Sequence, residues 1–266
     1  MRLRRTYRLG SANHAGPRSG ISRVAILLSM VSVLGCGQFT TGKERRDGDS
    51  QGTAQSTVRI TARIYNYARI PKPLLDRAES EASTIFRKAG IEVEWLDCPL
   101  TEAEMPLYPA CHRDLGTGDF VLNLLSESMA ERAKLRDTTF GFAQLSSDGG
   151  RSYVASVFWD RITEAAQGGD LSAYQLLGHA VAHEIGHLLL GSMGHARTGL
   201  MRVNWGPPEL NAMARKYLLF TPKQSERMRV EMLARMRQEQ LWARRGEPAE
   251  HVHQDRRGEY EASNRR

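Results

Sequence analysis

The chain has 266 residues and a formal net charge of +7, with 41% hydrophobic and 25% charged side chains. That composition suits one soluble domain with appendages and excludes a chain too polar to build a core. The charge sits at the ends: residues 1–50 carry 9 basic and 3 acidic side chains, while residues 51–220 carry 17 and 19. A nucleic-acid binder concentrates positive charge on its folded face, so none is expected as a partner.

The first 36 residues read as an export signal. Arg2, Arg4, Arg5, Arg8, Arg18 and Arg23 precede an apolar run from Val24 to Leu34, too short for a membrane span and of signal-core length. The run ends in Val33-Leu34-Gly35-Cys36, which resembles the lipobox of bacterial lipoproteins and makes Cys36 the expected lipidation site. The expected location is outside the cytoplasm, lipid-anchored and facing the periplasm or the cell exterior. Any membrane contact is through this segment alone. Residues 37–56 are Gly, Ser, Thr, Gln and charge, a flexible tether.

The domain is expected over residues 57–245. Val58, Ile60, Ala62 and Ile64 alternate with Arg59, Thr61 and Arg63, predicting a half-buried strand. Leu74, Leu75, Ala78, Ala82, Ile85, Phe86 and Ala89 recur at helical spacing, and Gly90 stops that helix. Ile91, Val93 and Trp95 predict a second strand, and the continuously apolar Phe120–Leu125 an interior one. Cys98 and Cys111 flank a loop rich in Pro and acid; in an oxidising compartment they are expected to pair, a closure worth roughly 3 kcal/mol. Two more strands are expected at 139–145 and 152–159, with a turn at Asp148-Gly149-Gly150.

Ser172 and Gln175 form a capping box at the start of a helix that is apolar almost all round from Leu176 to Leu190. Within it lies His183-Glu184-Ile185-Gly186-His187. Residues four apart stand one turn above each other, so His183 and His187 aim two imidazoles at one point, with Glu184 in reach of a water there. Catalytic zinc takes three protein ligands and keeps one position open. His195, close behind, is the candidate third ligand. His179, one turn earlier on the same face, reads as a packed side chain. Beyond Met201, Trp205-Gly206-Pro207-Pro208 reads as a rigid loop. Thr221-Pro222-Lys223-Gln224 starts a last helix running to about Arg244, and residues 246–266 read as a disordered tail.

The run from His183 to Met201 resembles the metzincin clan of zinc metallopeptidases, the matrixin-like members most. The resemblance implies an α+β fold: a mixed, twisted sheet of about five strands with two to three helices and a metal-binding helix. It implies His183, His187 and His195 as ligands of one Zn2+, Glu184 as general base, Gly191 as the turn glycine and Met201 as the Met-turn residue. The family pattern is H-E-x-x-H-x-x-G-x-x-H; here one extra residue stands on each side of the glycine. The implied activity is endopeptidase hydrolysis of a peptide or protein substrate by a monomer, with the strand near residues 141–145 as an exposed substrate-binding edge. The alternatives are a silent metzincin-fold lipoprotein acting as a binding module, and a gluzincin-type peptidase with Glu209 as third ligand.

Overall fold

A computed structural model describes residues 7–8, 58–132, 139–145, 153–168 and 171–245. The expected lipidation site Cys36, the tether, the turn at 148–150, the tail and all of the signal segment but Tyr7–Arg8 lie outside these residues.

Five strands form one mixed sheet: β2 (Val58–Asn66), β3 (Ile91–Cys98), β4 (Asp119–Leu125), β5 (Gly141–Gln144) and β6 (Val154–Phe158). Their order across the sheet is β3-β2-β4-β6-β5. Four run parallel, and β5 closes one edge antiparallel to β6, with Gly141 opposite Val157. A further pair joins β1 (Tyr7–Arg8) to β7 (Asn204–Trp205), also antiparallel.

Parallel neighbours need crossover connections, and α1 (Lys72–Lys88) supplies the first, between β2 and β3. Its Leu75, Ala78, Ala82, Ile85 and Phe86 face the core. The long helix α5 (Ala173–Leu190) packs along α1 and against β5 and β6. Contact with α1 is close: a Cβ at Gly178 would stand 2.7 Å from the Ala78 carbonyl. The last helix, α7 (Pro222–Arg245), starts at the expected cap, where Thr221 N–H donates to Gln224 Oε1 (2.9 Å) and Gln224 N–H returns to Thr221 Oγ1 (3.3 Å). Its buried Met228 and Met232 join the core.

Several expectations are corrected. Two to three helices is too few: the described residues also hold α2 (Pro109–His112), α3 (Glu127–Arg132), α4 (Trp159–Gln167) and α6 (Pro207–Ala214). These are short and weakly periodic, and α4 begins directly where β6 ends, with no capping side chain to announce it. The rigid loop at Trp205–Pro208 is in fact a strand end followed by the start of α6, with proline in the first turn, where a missing N–H costs nothing. Nor is the second face of β2 open to water beyond the exposed Arg59. Thr61 and Arg63 are buried, because Arg63 donates to the carbonyls of Cys111 (3.2 Å), Arg113 (2.6 Å) and Asp114 (3.1 Å) and pairs with Asp119 (2.9 Å). The segment 99–118 lies over that face, closed by a bond between Cys98 and Cys111 with Cα atoms 5.7 Å apart.

Candidate metal centre

The middle of α5 carries the site. All of its residues from Leu176 to Leu190 are buried, including His179, His183, Glu184 and His187. The capping box is present: Ser172 N–H (3.2 Å) and Oγ–H (2.7 Å) both donate to Gln175 Oε1. The helix ends at Gly191 in the left-handed conformation (φ 57°), which glycine adopts without a Cβ penalty. The Ser192 N–H then turns back to the His187 carbonyl at 3.2 Å.

This turn returns the chain toward the helix. Ala196 N–H donates to the Met201 carbonyl (2.8 Å), which closes residues 196–201 into a loop, and Leu200 N–H ties the loop to the Leu219 carbonyl (2.9 Å). His195 is thereby brought beside the other two imidazoles. Its ring centroid lies 5.4 Å from that of His183 and 4.9 Å from that of His187. The two extra residues of the lengthened motif are absorbed in the 188–195 turn. One donor nitrogen from each of the three histidines falls within 4.8 Å of the others.

The hydrogen bonds set the tautomers. His183 Nδ1 lies 2.8 Å from the Leu200 carbonyl, and His187 Nδ1 lies 2.7 Å from the Ser192 carbonyl. A carbonyl only accepts, so each Nδ1 carries the proton and each neutral ring presents a lone pair at Nε2. Burial holds both rings neutral. It takes His183 well below its ordinary value, helped by the neighbouring His187, and takes His187 down to about 4. The two Nε2 atoms stand 3.0 Å apart. Two lone pairs facing each other at that distance repel, and a shared cation converts the repulsion into coordination. The donor set therefore fits a metal ion, and three neutral imidazoles suit zinc.

Glu184 is wholly buried, and neither carboxylate oxygen has a hydrogen-bond partner. Burial alone pushes its carboxyl well above the usual range. It lies against β5, where a Cβ at Gly141 would meet Glu184 Cγ at 2.9 Å and the Ser156 carbonyl at 2.6 Å. Only glycine lets the strand approach the carboxylate this closely. Met201 is fully buried below the helix, its Sδ 2.9 Å from where a Cβ at Gly186 would stand.

Glu209 stands apart from the trio. Its Oε1 takes Arg202 at 2.5 Å, and its Oε2 takes the Gly206 N–H at 2.9 Å at the start of α6. His179 is packed, edge-on to Trp205 with centroids 6.4 Å apart, and its Nδ1–H donates to the Gln175 carbonyl (2.9 Å). Burial lowers it to about 4, and its Nε2 has no partner. Trp205, read from sequence only as part of a rigid loop, stands beside the site. It packs 5.8 Å from the His183 ring, and its Nε1–H donates to the same Leu200 carbonyl that orients His183 (3.2 Å). Gly141 and the Ser192 carbonyl were equally silent, because backbone groups and absent side chains leave no mark in a motif.

No protein-family model and no curated protein matches the chain. Among solved structures, it is similar to a zinc-dependent peptidase from Methanocorpusculum labreanum, at 20% identity over 63% of this chain and 99% of that one, with a TM-score of 0.40. An archaemetzincin from Methanopyrus kandleri shares 18% identity over 67% of this chain and 97% of its own, with a TM-score of 0.38. At such scores the chemistry has to be read from the side chains themselves.

Proposed function

We propose that this chain is a zinc-dependent metalloendopeptidase with a metzincin-like catalytic domain. One observation carries the reading: two imidazole lone pairs meet at 3.0 Å on a buried helix beside a buried carboxylate that has no partner. A structural helix has no use for either feature, since each unpaired buried polar group costs on the order of 1–3 kcal/mol. His183, His187 and His195 hold the ion. Zinc there supplies a Lewis acid for the scissile carbonyl and makes water more acidic.

The remaining work falls to the chain. Glu184 accepts the proton of the attacking water on its carboxylate and delivers it to the leaving amine. Burial raises the basicity of that carboxylate, which favours its taking up the proton. Leu200 and Ser192 hold the two helical imidazoles in the ligating tautomer. Met201 supports the helix beneath them as an apolar floor. An extended peptide adds to the edge strand β5 by backbone hydrogen bonds, which carries its scissile bond past Gly141 toward the three imidazoles. Substrates are peptides or proteins, and the enzyme acts as an exported monomer held at a membrane through lipid on Cys36. A Cys98–Cys111 bond suits that oxidising location.

The test is metal analysis with peptide-library cleavage on the purified protein. Wild type should bind one equivalent of zinc and cleave, and Glu184→Ala should keep zinc and lose cleavage. A protein that takes up no zinc overturns the reading. Zinc without any cleavage transfers it to a binding module.

A further inference from the structure

A helix that ends inside the protein leaves carbonyls that must find donors. The last turn of α5 ends in Leu188, Leu189 and Leu190, all buried, so water does not serve them. Leu188 takes the Gly191 N–H (3.4 Å), and the further donors come from α7. Arg235 spans two carbonyls, Nη1 to Leu188 (3.2 Å) and Nη2 to Leu189 (3.4 Å), and Arg227 Nη2 reaches Leu190 (3.2 Å). The guanidinium also abuts the turn itself, since a Cβ at Gly191 would lie 3.2 Å from Arg235 Nη2.

That turn is where the metal site is finished. One residue before Leu188 stands His187, and one residue after Gly191 stands Ser192, whose carbonyl fixes the His187 tautomer. Three residues further on comes His195. We infer that Arg235 is a positioning residue for the metal site: its two-pronged grip on the end of α5 sets the turn from which the Ser192 carbonyl and the His195 imidazole are presented. The inference rests on the metal reading above. It needs the planar fork, because one ammonium cannot span two successive carbonyls with the same geometry. A cation at a helix C-terminus also stabilises the helix generally, and lysine retains that part.

Arg229 provides the comparison. It is on the same helix and donates to the Ala89 carbonyl (2.7 Å) at the end of α1, which carries no ligand. The experiment measures zinc affinity by chelator competition, the visible spectrum of the cobalt-loaded protein, and thermal unfolding of the metal-free protein. The variants are Arg235→Met, Arg235→Lys and Arg229→Met in the full chain. Groups bonded directly to a metal-ligating histidine typically change metal affinity 10–100-fold, and Arg235 acts one step further out, through the turn. Arg235→Met should weaken zinc binding about tenfold or more and alter the cobalt spectrum. Arg235→Lys should melt near wild type yet still lose most of that affinity. Arg229→Met should lower the melting temperature and leave affinity within about twofold. If Arg235→Lys binds zinc as wild type does, or Arg229→Met weakens binding as much as Arg235→Met, the inference is overturned. Should wild type itself bind no zinc, the metal reading fails instead.

Discussion

Helices α5 and α7 are the two longest among the described residues, and they are built on opposite principles. In α5 nearly every side chain is buried, the polar His179, His183, Glu184 and His187 among them. In α7 only scattered positions such as Met228 and Met232 are buried; Val230 and Leu241 are 59% and 50% exposed. The difference shows what burial does to function. Burial in a dry helix shifts the imidazoles and the carboxylate away from their charged forms, and it leaves Glu184 and His179 with polar atoms that have no partner. Arginines on a half-exposed helix instead satisfy the ends of other helices, with their charge still partly hydrated.

The contrast predicts that one substitution has two outcomes. Leu189→Ala, in α5, should destabilise by about 2–5 kcal/mol in urea unfolding, because it leaves a cavity in the core. Gly186→Ala should cost about 1–3 kcal/mol, since the new methyl would stand 2.7 Å from the Phe220 ring and 2.9 Å from Met201 Sδ. A Gly186→Ala protein as stable as wild type would show that the Met201 floor yields.

A third measurement sharpens the comparison through pH. His179 is held at about 4 when folded, against an ordinary 6.5, because burial disfavours its charged form. The unfolded chain thus takes up the proton first, and stability falls as pH drops through the window from 6.5 to 4. Between pH 7 and pH 5 the loss from this group is about 2 kcal/mol. His179→Leu should flatten the slope by that amount in metal-free protein kept in chelator. An unchanged slope would mean that the ring finds a proton partner when folded. The smallest effect is expected from Leu241→Ala in α7, within about 0.5 kcal/mol of wild type, because the side chain is half in water and alanine favours the helix.

Much of the frame was legible. The alternation of Val58–Ile64 and the spacing of Leu75–Phe86 are periodic signals, Phe120–Leu125 is a continuous apolar run, and each became the expected element. The caps at Ser172 and Thr221 likewise mark real helix starts. What escaped was short or relational. Helix α4 runs on from β6 without a stop signal, and α6 hides behind a Gly-Pro-Pro reading. Arg63 looked solvent-facing because the pattern of one strand does not show which segment will cover it.

The spacing His183-x3-His187 and the adjacent Glu184 follow from helix geometry alone, since 3.6 residues per turn place them together wherever that helix forms. Which third side chain joins them does not follow from spacing. That choice between His195 and Glu209 lies with the Gly191 turn, the Ala196–Met201 closure and the Arg202 pairing that occupies Glu209. The same holds for Trp205 and Gly141, which pack beside His183 and Glu184 from other stretches of chain, and for Arg235, which grips the end of α5. Local periodicity is written residue by residue, whereas convergence depends on how loops close and helices pack, and those are settled only when the whole core forms.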